Sequence, residues 1–208
     1  MSDSLKIETP EEIVSYGIGR QMGDQLSGNS FEGCVIELVK AGLADAFTGA
    51  ATQVSGEDMN AAYQVIHEKI QAEVAKASAA AGAISQTFFD ENAKKDGVTV
   101  TESGLQYEIL TEGDGEKPAA TATVRTHYHG TFLDGKIFDS SVDRGQPAEF
   151  PVNGVIQGWI EALQLMPVGS KWRLFIPSNL AYGEQGSSGA IPPNSALIFE
   201  IELIAIVS

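Results

Sequence analysis

The stretch VRTHYHGTFLDGKIFDSS, residues 124–141, holds two of the chain's three histidines, as His127-x-His129, together with Asp134 and Asp139. Read with a period of two, Val124, Thr126 and Tyr128 share one face, and His127 and His129 share the other. Leu133-Asp134-Gly135 in its middle is an Asp-Gly hairpin signal. The stretch is therefore two antiparallel strands whose apolar side carries Tyr128 and whose histidines face out. A His-x-His pair holds zinc only when a third ligand converges on it. No cysteine or further histidine stands nearby, so no metal and no cofactor are expected.

Working outward, the strand pattern holds over the rest of the second half, where seven of the eight prolines fall after residue 105. GLQYEILTEGDGEKP is a strand followed by an acidic, glycine-rich turn. AEFPV is a short strand, VIQGWIEALQLM an amphipathic helix and KWRLFIP another strand. The loop YGEQGSSGAIPPN leads to a long last strand, ALIFEIELIAIV. Its alternation puts Phe199, Ile201 and Leu203 on one face and Glu200, Glu202 and Ile204 on the other. The fold class is α+β: an antiparallel half-barrel sheet with one face wrapped on a single short helix.

The first half is helical. Thr9, Pro10 and Glu12 make a capping box ahead of a helix whose Val14, Ile18, Met22 and Leu26 form a slowly drifting stripe. Gly17, Gly19 and Gly23 each cost on the order of 1 kcal/mol inside a helix, and a close helix crossing, within or between chains, offsets that cost. A second helix over 31–48 is opened by Gly-Asn-Ser at 28–30 and closed by Gly49, with Phe31, Val35, Leu38, Val39, Leu43 and Phe47 on a broad apolar face. Cys34 reads as a small buried filler in that run. Two such helices form too small a core to stand alone, and a second copy supplies what is missing.

Residues 55–96 read as one long helix. Ser55 caps it, Glu57 and Asp58 sit in its first turn, Lys94 and Lys95 in its last, and Gly97 ends it. At 1.5 Å per residue, roughly 40 residues span about 60 Å. Met59, Tyr63, Ile66, Ile70, Ala77, Ala81, Ile84 and Phe88 form a thin seam on it, suited to a coiled coil or a lone helical arm. His67 is a surface residue. The expected divisions are 1–54 as a helical dimerisation region, 55–96 as the connecting helix and 97–208 as the functional domain.

A net charge of −15 excludes the basic face that nucleic acid demands and opposes docking on anionic lipid. No stretch approaches the ~20 apolar residues of a membrane span. The start of the chain has no signal-peptide pattern, and with a single cysteine no intramolecular disulfide can form. The expected setting is the cytoplasm.

On the inner face of the sheet the aromatic residues Tyr128, Phe138, Phe150, Trp159, Tyr182 and Phe199 converge, joined by Val155, Ile156 and Ile191. By composition alone such a list is that of a plain core. Tyr182, however, opens a loop and Val155-Ile156 start a helix over Trp159, which is where pockets form.

Residues 105–208 resemble an FKBP-type peptidyl-prolyl cis–trans isomerase domain. The resemblance is carried, in family order and spacing, by HYHGTFLDGKIFDSS, VIQGWIEAL, MPVGSKWRLFIPSNLAYG and GAIPPNSALIFEIELI. SYGIGRQMGDQL, VKAGLADAFTGA and the long helix resemble the N-terminal region of the macrophage-infectivity-potentiator-like bacterial subfamily. That resemblance implies a homodimer intertwined through its short helices, with long helices holding two isomerase domains apart in a V. It also implies catalytic roles for Tyr128, Phe138, Asp139, Trp159, Tyr182 and Phe199, with Arg144, Phe150, Val155, Ile156 and Ile191 binding substrate. Trp159 becomes the floor under the proline ring, and the Ile156 amide and Tyr182 hydroxyl receive carbonyls. Asp139 and Arg144 pair with each other and with the Tyr128 hydroxyl.

The implied partners are proline-containing unfolded or partly folded polypeptides and macrolides such as rapamycin. Ala148, where many members carry phenylalanine, and Ser187-Ser188, in place of His-Pro, depart from the family pattern and bear on substrate preference. A second reading makes the protein a dimeric holdase, for which peptide gripping rather than isomerisation is the main role.

Overall fold

Thr9 and Glu12 close the expected capping box. The Glu12 amide donates to Thr9 Oγ1 at 3.3 Å, and the Glu12 carboxylate accepts from the Thr9 amide at 2.9 Å. The computed structural model describes residues 6–28, 30–187 and 190–208. Asn29 of the Gly-Asn-Ser opener and Ser188 of the serine pair lie outside the described residues. The chain divides into two compact units, Met1–Gln71 and Ala72–Ser208.

The first unit contains α1 (Pro10–Gly28), α2 (Ile36–Thr48) and the opening of α3 (Gly56–Asn92). No residue of α1 or α2 is buried, and Phe47 is 91% exposed. A methyl group added at Gly17, Gly19 or Gly23 would meet nothing within 4 Å. Among the described residues no element makes the close crossing that these glycines allow. Gly49 ends α2 in the left-handed region at φ 71° as expected.

The start of α2 does not follow the sequence reading, because Gly33 turns the chain at φ 85° and Val35 is extended at the N-cap. Phe31 and Val35 thus precede the helix, and Cys34 is half-buried in a connector rather than a core filler. The α3 cap is as read, with the Asp58 amide donating to Ser55 Oγ at 3.0 Å, and His67 is exposed.

In the second unit α3 ends at Asn92, so Lys94 and Lys95 fall just past the helix instead of in its last turn. The buried Asn92 amide donates to Gln106 Oε1 at 2.9 Å, and Gln106 donates back to the Phe89 carbonyl at 2.9 Å. Those side-chain bonds tie the end of α3 to β2, and Gly97 (φ 85°) then feeds a short strand that the sequence reading lacked.

The strands are β1 (Val98–Val100), β2 (Gln106–Thr111), β3 (Thr123–Phe132), β4 (Ile137–Ser140), β5 (Ala148–Pro151), β6 (Lys171–Ile176) and β7 (Leu197–Ile206). They form one antiparallel sheet in the order β1-β2-β6-β7-β3-β4, with β5 also pairing β3. The quoted hairpin is β3–β4, turning at Gly135 with φ 85°. One face of the sheet packs on α4 (Gln157–Leu165), whose Gly158, Trp159, Ala162 and Leu163 are buried. Val155 and Ile156 precede α4, with Ile156 extended as its N-cap, where the sequence reading had begun the helix.

Alternation in β7 is as read: Phe199, Ile201 and Leu203 are buried, and Glu202 and Ile204 are exposed. Tyr128 lies opposite Ile201 and Gly130 opposite Phe199, so the aromatic rows run across the inner face. Outside, Glu200 pairs with Arg173 at 2.7 Å and with Lys171 at 3.0 Å. These pairs are partly exposed and contribute little to stability.

The acidic turn after β2 crosses the 167–170 turn and is laced to it. The Gly113 amide donates to Ser170 Oγ at 3.0 Å and the Gly115 amide to the Val168 carbonyl at 3.1 Å. A methyl group at Gly113 would lie 2.3 Å from the Val168 carbonyl oxygen and 2.5 Å from the Ser170 nitrogen. Backbone on both sides cannot yield cheaply, so Gly113→Ala is expected to destabilise by roughly 1–3 kcal/mol. The chain's two tryptophans, Trp159 and Trp172, both lie in this unit. Urea unfolding followed by their fluorescence should therefore show the lowered midpoint.

Candidate functional site

The lower edge of β3 is shared. β5 pairs with residues 123–126 and β4 with 129–131. Between them the chain swings outward, and buried Ser141 bridges the gap. The Tyr128 amide donates to Ser141 Oγ at 2.8 Å, and the Ser141 amide donates to the Tyr128 carbonyl at 3.0 Å. This double clamp places the 139–145 segment over the Tyr128 side chain.

Three polar groups meet there as expected. The Tyr128 hydroxyl donates to Asp139 Oδ2 at 2.5 Å, Arg144 Nη2 donates to the Tyr128 oxygen at 2.8 Å, and Arg144 Nη1 pairs with Asp139 Oδ1. The guanidinium also lies 5.6 Å from the centre of the Tyr128 ring. Burial pushes the Tyr128 phenol above its ordinary range, reinforced by the Asp139 carboxylate. At Asp139 burial acts upward, but hydrogen bonds from Tyr128 and Arg144 and the arginine charge outweigh it and hold the carboxyl low. The aspartate is thus an ionised acceptor with both oxygens engaged, a poor general base.

Beside this group opens a cleft of about 470 Å³ lined by Tyr128, Phe138, Asp139, Phe150, Gly154, Val155, Ile156, Trp159, Tyr182 and Phe199. Trp159 on α4 is its centre. The indole meets Tyr128, Phe150 and Phe199 edge-on, with centroids 5.5, 5.8 and 5.1 Å away. Phe138 meets Phe199 edge-on at 5.4 Å. Such contacts hold each ring in one orientation. Tyr182 stands on the rim, 39% exposed, and burial together with the Asp139 charge raises its phenol. Among the described residues neither its hydroxyl nor the Ile156 amide has a hydrogen-bond partner, so both donors are open to a ligand.

Of the residues expected from sequence, nine line the cleft, and Arg144 reaches it through Tyr128 and Asp139. Ile191 does not line it. It is 6% exposed and lines a second, larger hollow beyond the Tyr182 loop. Ala148 packs at the core's edge rather than in the cleft.

The sequence reading missed two glycines and the serine clamp. Gly154 lines the cleft. A methyl group at Gly130 would lie 2.7 Å from Phe138 and 2.8 Å from Phe199, so this position makes room for both rings. A glycine inside HYHGTF was the available signal, since glycine within a strand marks a close approach. His127 and His129 turn away from the cleft, half-buried, with Nδ1 atoms 3.1 Å from Ser141 Oγ and 2.9 Å from Ser140 Oγ.

Two family profiles match the chain. One, described as FKBP-type peptidyl-prolyl cis-trans isomerase, matches residues 114–204, and the other, the domain amino terminal to it, matches residues 11–109. The FKBP-type 22 kDa peptidyl-prolyl cis-trans isomerase of Escherichia coli K12 is 52% identical, covering 96% of this chain and 97% of its own. The outer membrane protein MIP of Legionella longbeachae is 38% identical over 99% of this chain and 89% of its own. The crystal structure of FkpA from Escherichia coli, 33% identical, superposes with a TM-score of 0.68 over 97% of this chain and 98% of that one.

The polar group has a signature in titration. Spectrophotometric titration should show Tyr128 and Tyr182 ionising above the ordinary range of a phenol, and Tyr128→Phe should remove one of these two late transitions. Because the folded carboxyl of Asp139 is depressed, its stabilising contribution is present above the unfolded value and lost as pH falls through the folded one. The stability gap between the native chain and Asp139→Asn should therefore be open at neutral pH and close in acid.

Proposed function

The chain belongs to the FKBP-type peptidyl-prolyl cis–trans isomerase family, and from that membership we propose that it accelerates X–Pro rotation by seating the proline ring on Trp159 in the cleft. The supporting observation is an aromatic floor ringed by open donors, with the one carboxylate in reach held ionised and fully hydrogen-bonded.

Rotation about an X–Pro bond faces a barrier of ~18–20 kcal/mol set by amide resonance. No bond is made or broken. The twisted imide has lost resonance, so its carbonyl carries less charge and it tolerates an apolar cleft better than the planar form does. A cleft walled by Trp159, Phe199, Phe150 and Phe138 therefore favours the transition state over the ground state. The Ile156 amide and the Tyr182 hydroxyl orient the peptide carbonyls. Asp139 and Arg144 hold the Tyr128 ring in place, and each 1.36 kcal/mol of preference gives a tenfold rate.

The substrates are proline-containing polypeptide segments, and rapamycin is expected to compete for the same cleft. We assign residues 97–208 to the isomerase domain, 55–96 to the connecting helix and 1–54 to homodimerisation. The exposed apolar rows of α1 and α2 and the open glycines of α1 support a second copy of the chain as their cover. Among the described residues no helix is long and apolar enough to cross a membrane. A cytoplasmic setting rests on the sequence alone, and one relative bears the name outer membrane protein, so fractionation of cells decides the compartment.

Exchange of a short X–Pro peptide is expected to be fast, blocked by rapamycin, and lowered at least about tenfold by Trp159→Ala, with circular dichroism confirming the fold. Tyr182→Phe should lower it several-fold. The profile should be flat between pH 6 and 8, because Asp139 titrates below this window and Tyr128 and Tyr182 above it. A bell-shaped profile in that range would overturn the mechanism. Gly19→Leu with Gly23→Leu should convert a sedimenting dimer to monomer and leave short-peptide exchange unchanged.

A further inference from the structure

The larger hollow, about 1020 Å³, lies within the 72–208 unit. Its walls are Ala81 and Ile84 of α3, Phe132 and Leu133 at the hairpin turn, and Ile191 to Pro193. It is a built groove rather than a gap. Asn194, held in the left-handed region at φ 55°, donates from its side chain to Ser78 Oγ of α3 at 2.6 Å. Its own amide donates to the Gly183 carbonyl at 2.9 Å. Gly186 is pressed so close to Ile191 that a methyl group would sit 2.3 Å from the Ile191 oxygen. Ile84 is nonetheless 64% exposed in this setting.

We propose that this groove is an extended subsite that takes apolar side chains of an unfolded polypeptide on the flank of the proline held in the cleft. The proposal rests on the reading of the cleft given above. Its main support is continuity, because groove and cleft are separated by a single wall of paired rings. Phe132, on the groove side, packs against Phe138, on the cleft side, with centroids 5.1 Å apart. The same loop supplies Tyr182 to the cleft and Gln185, Gly186 and Ser187 to the groove. An extended peptide advances roughly 3.3 Å per residue, so a chain with its proline on Trp159 crosses this wall within a few residues.

Charge speaks for the same occupant. Among the described residues the only charged side chains lining the groove are Asp134 and Lys136, one of each sign. It therefore suits a neutral apolar segment and offers nothing to balance a second copy carrying a net charge of −15. Binding energy gathered there, remote from the rotating bond, would appear in kcat/KM for longer substrates.

The test compares a prolyl tetrapeptide with the same X–Pro core extended by four leucine- and phenylalanine-containing residues on either side, using the full chain. The native chain should prefer the long peptide by about tenfold in kcat/KM, the effect of burying one apolar side chain. Ile84→Glu and Ala81→Glu, which keep good helix formers in α3, should each remove most of that preference and leave tetrapeptide exchange within about twofold. An absent preference, or one that survives both variants, overturns the proposal. So does a fall in tetrapeptide exchange by chains with unchanged tryptophan fluorescence, or a lower sedimenting mass, which would give this face to a second copy. A native chain that leaves the tetrapeptide at its uncatalysed rate refutes the reading of the cleft itself, and the groove proposal with it.

Discussion

Trp159 is committed twice. Its position on α4 makes it part of the core, 4% exposed, and the same ring is the floor of the cleft. Three other aromatic rings from β3, β5 and β7 meet its faces and edges at 5.1 to 5.8 Å. The packing of α4 on the sheet and the shape of the site are therefore one interaction. Close-packed interiors transmit small shifts, so a displacement of α4 reshapes the cleft directly. The Cβ position of Gly158 has Ile176 only 2.6 Å away, which sets how closely α4 approaches the sheet.

A second constraint sits at the split edge of β3. A strand edge left unpaired exposes backbone groups, and Ser141 answers that need at Tyr128 with a backbone and a side-chain bond. The segment so tethered carries Asp139 and Arg144 to the Tyr128 hydroxyl. The ion pair is about half exposed, so its value lies in orientation more than in stability. The histidines of the opening motif belong to the far side of this clamp: His127 touches Ser141, the residue that positions Tyr128.

Much of this was legible in the chain. The period-two pattern of residues 124–129 and 199–204 gave the inner and outer faces correctly, since one buried face fixes register, and it breaks only beyond Leu203, where a bulge opposite Arg125 and Thr126 brings Ile206 back onto the core. The capping box at Thr9 and the left-handed Gly49 were equally legible, because such signals are local. The errors arose where distant contacts override local preference. Nothing in the lysines after Asn92 reveals that Gln106, fourteen residues away, is bonded to the last residue of α3. The helical period through Cys34, by contrast, gave way to a local turn at Gly33 (φ 85°). The role of Ser141 was hidden because it depends on which strands share the edge of β3.

The sequence by itself determined the class of fold, the membership of the aromatic set and the polar group at Tyr128, because periodicity, turn chemistry and family motifs are properties of neighbouring residues. Only the tertiary structure decided how these parts were divided between two hollows. Ile191 and Phe138 both belong to the aromatic half of the chain, yet the Phe132–Phe138 wall puts them in different cavities. The residues on either side of that wall are far apart in sequence and are brought together only when α3, the hairpin and the Tyr182 loop pack around it.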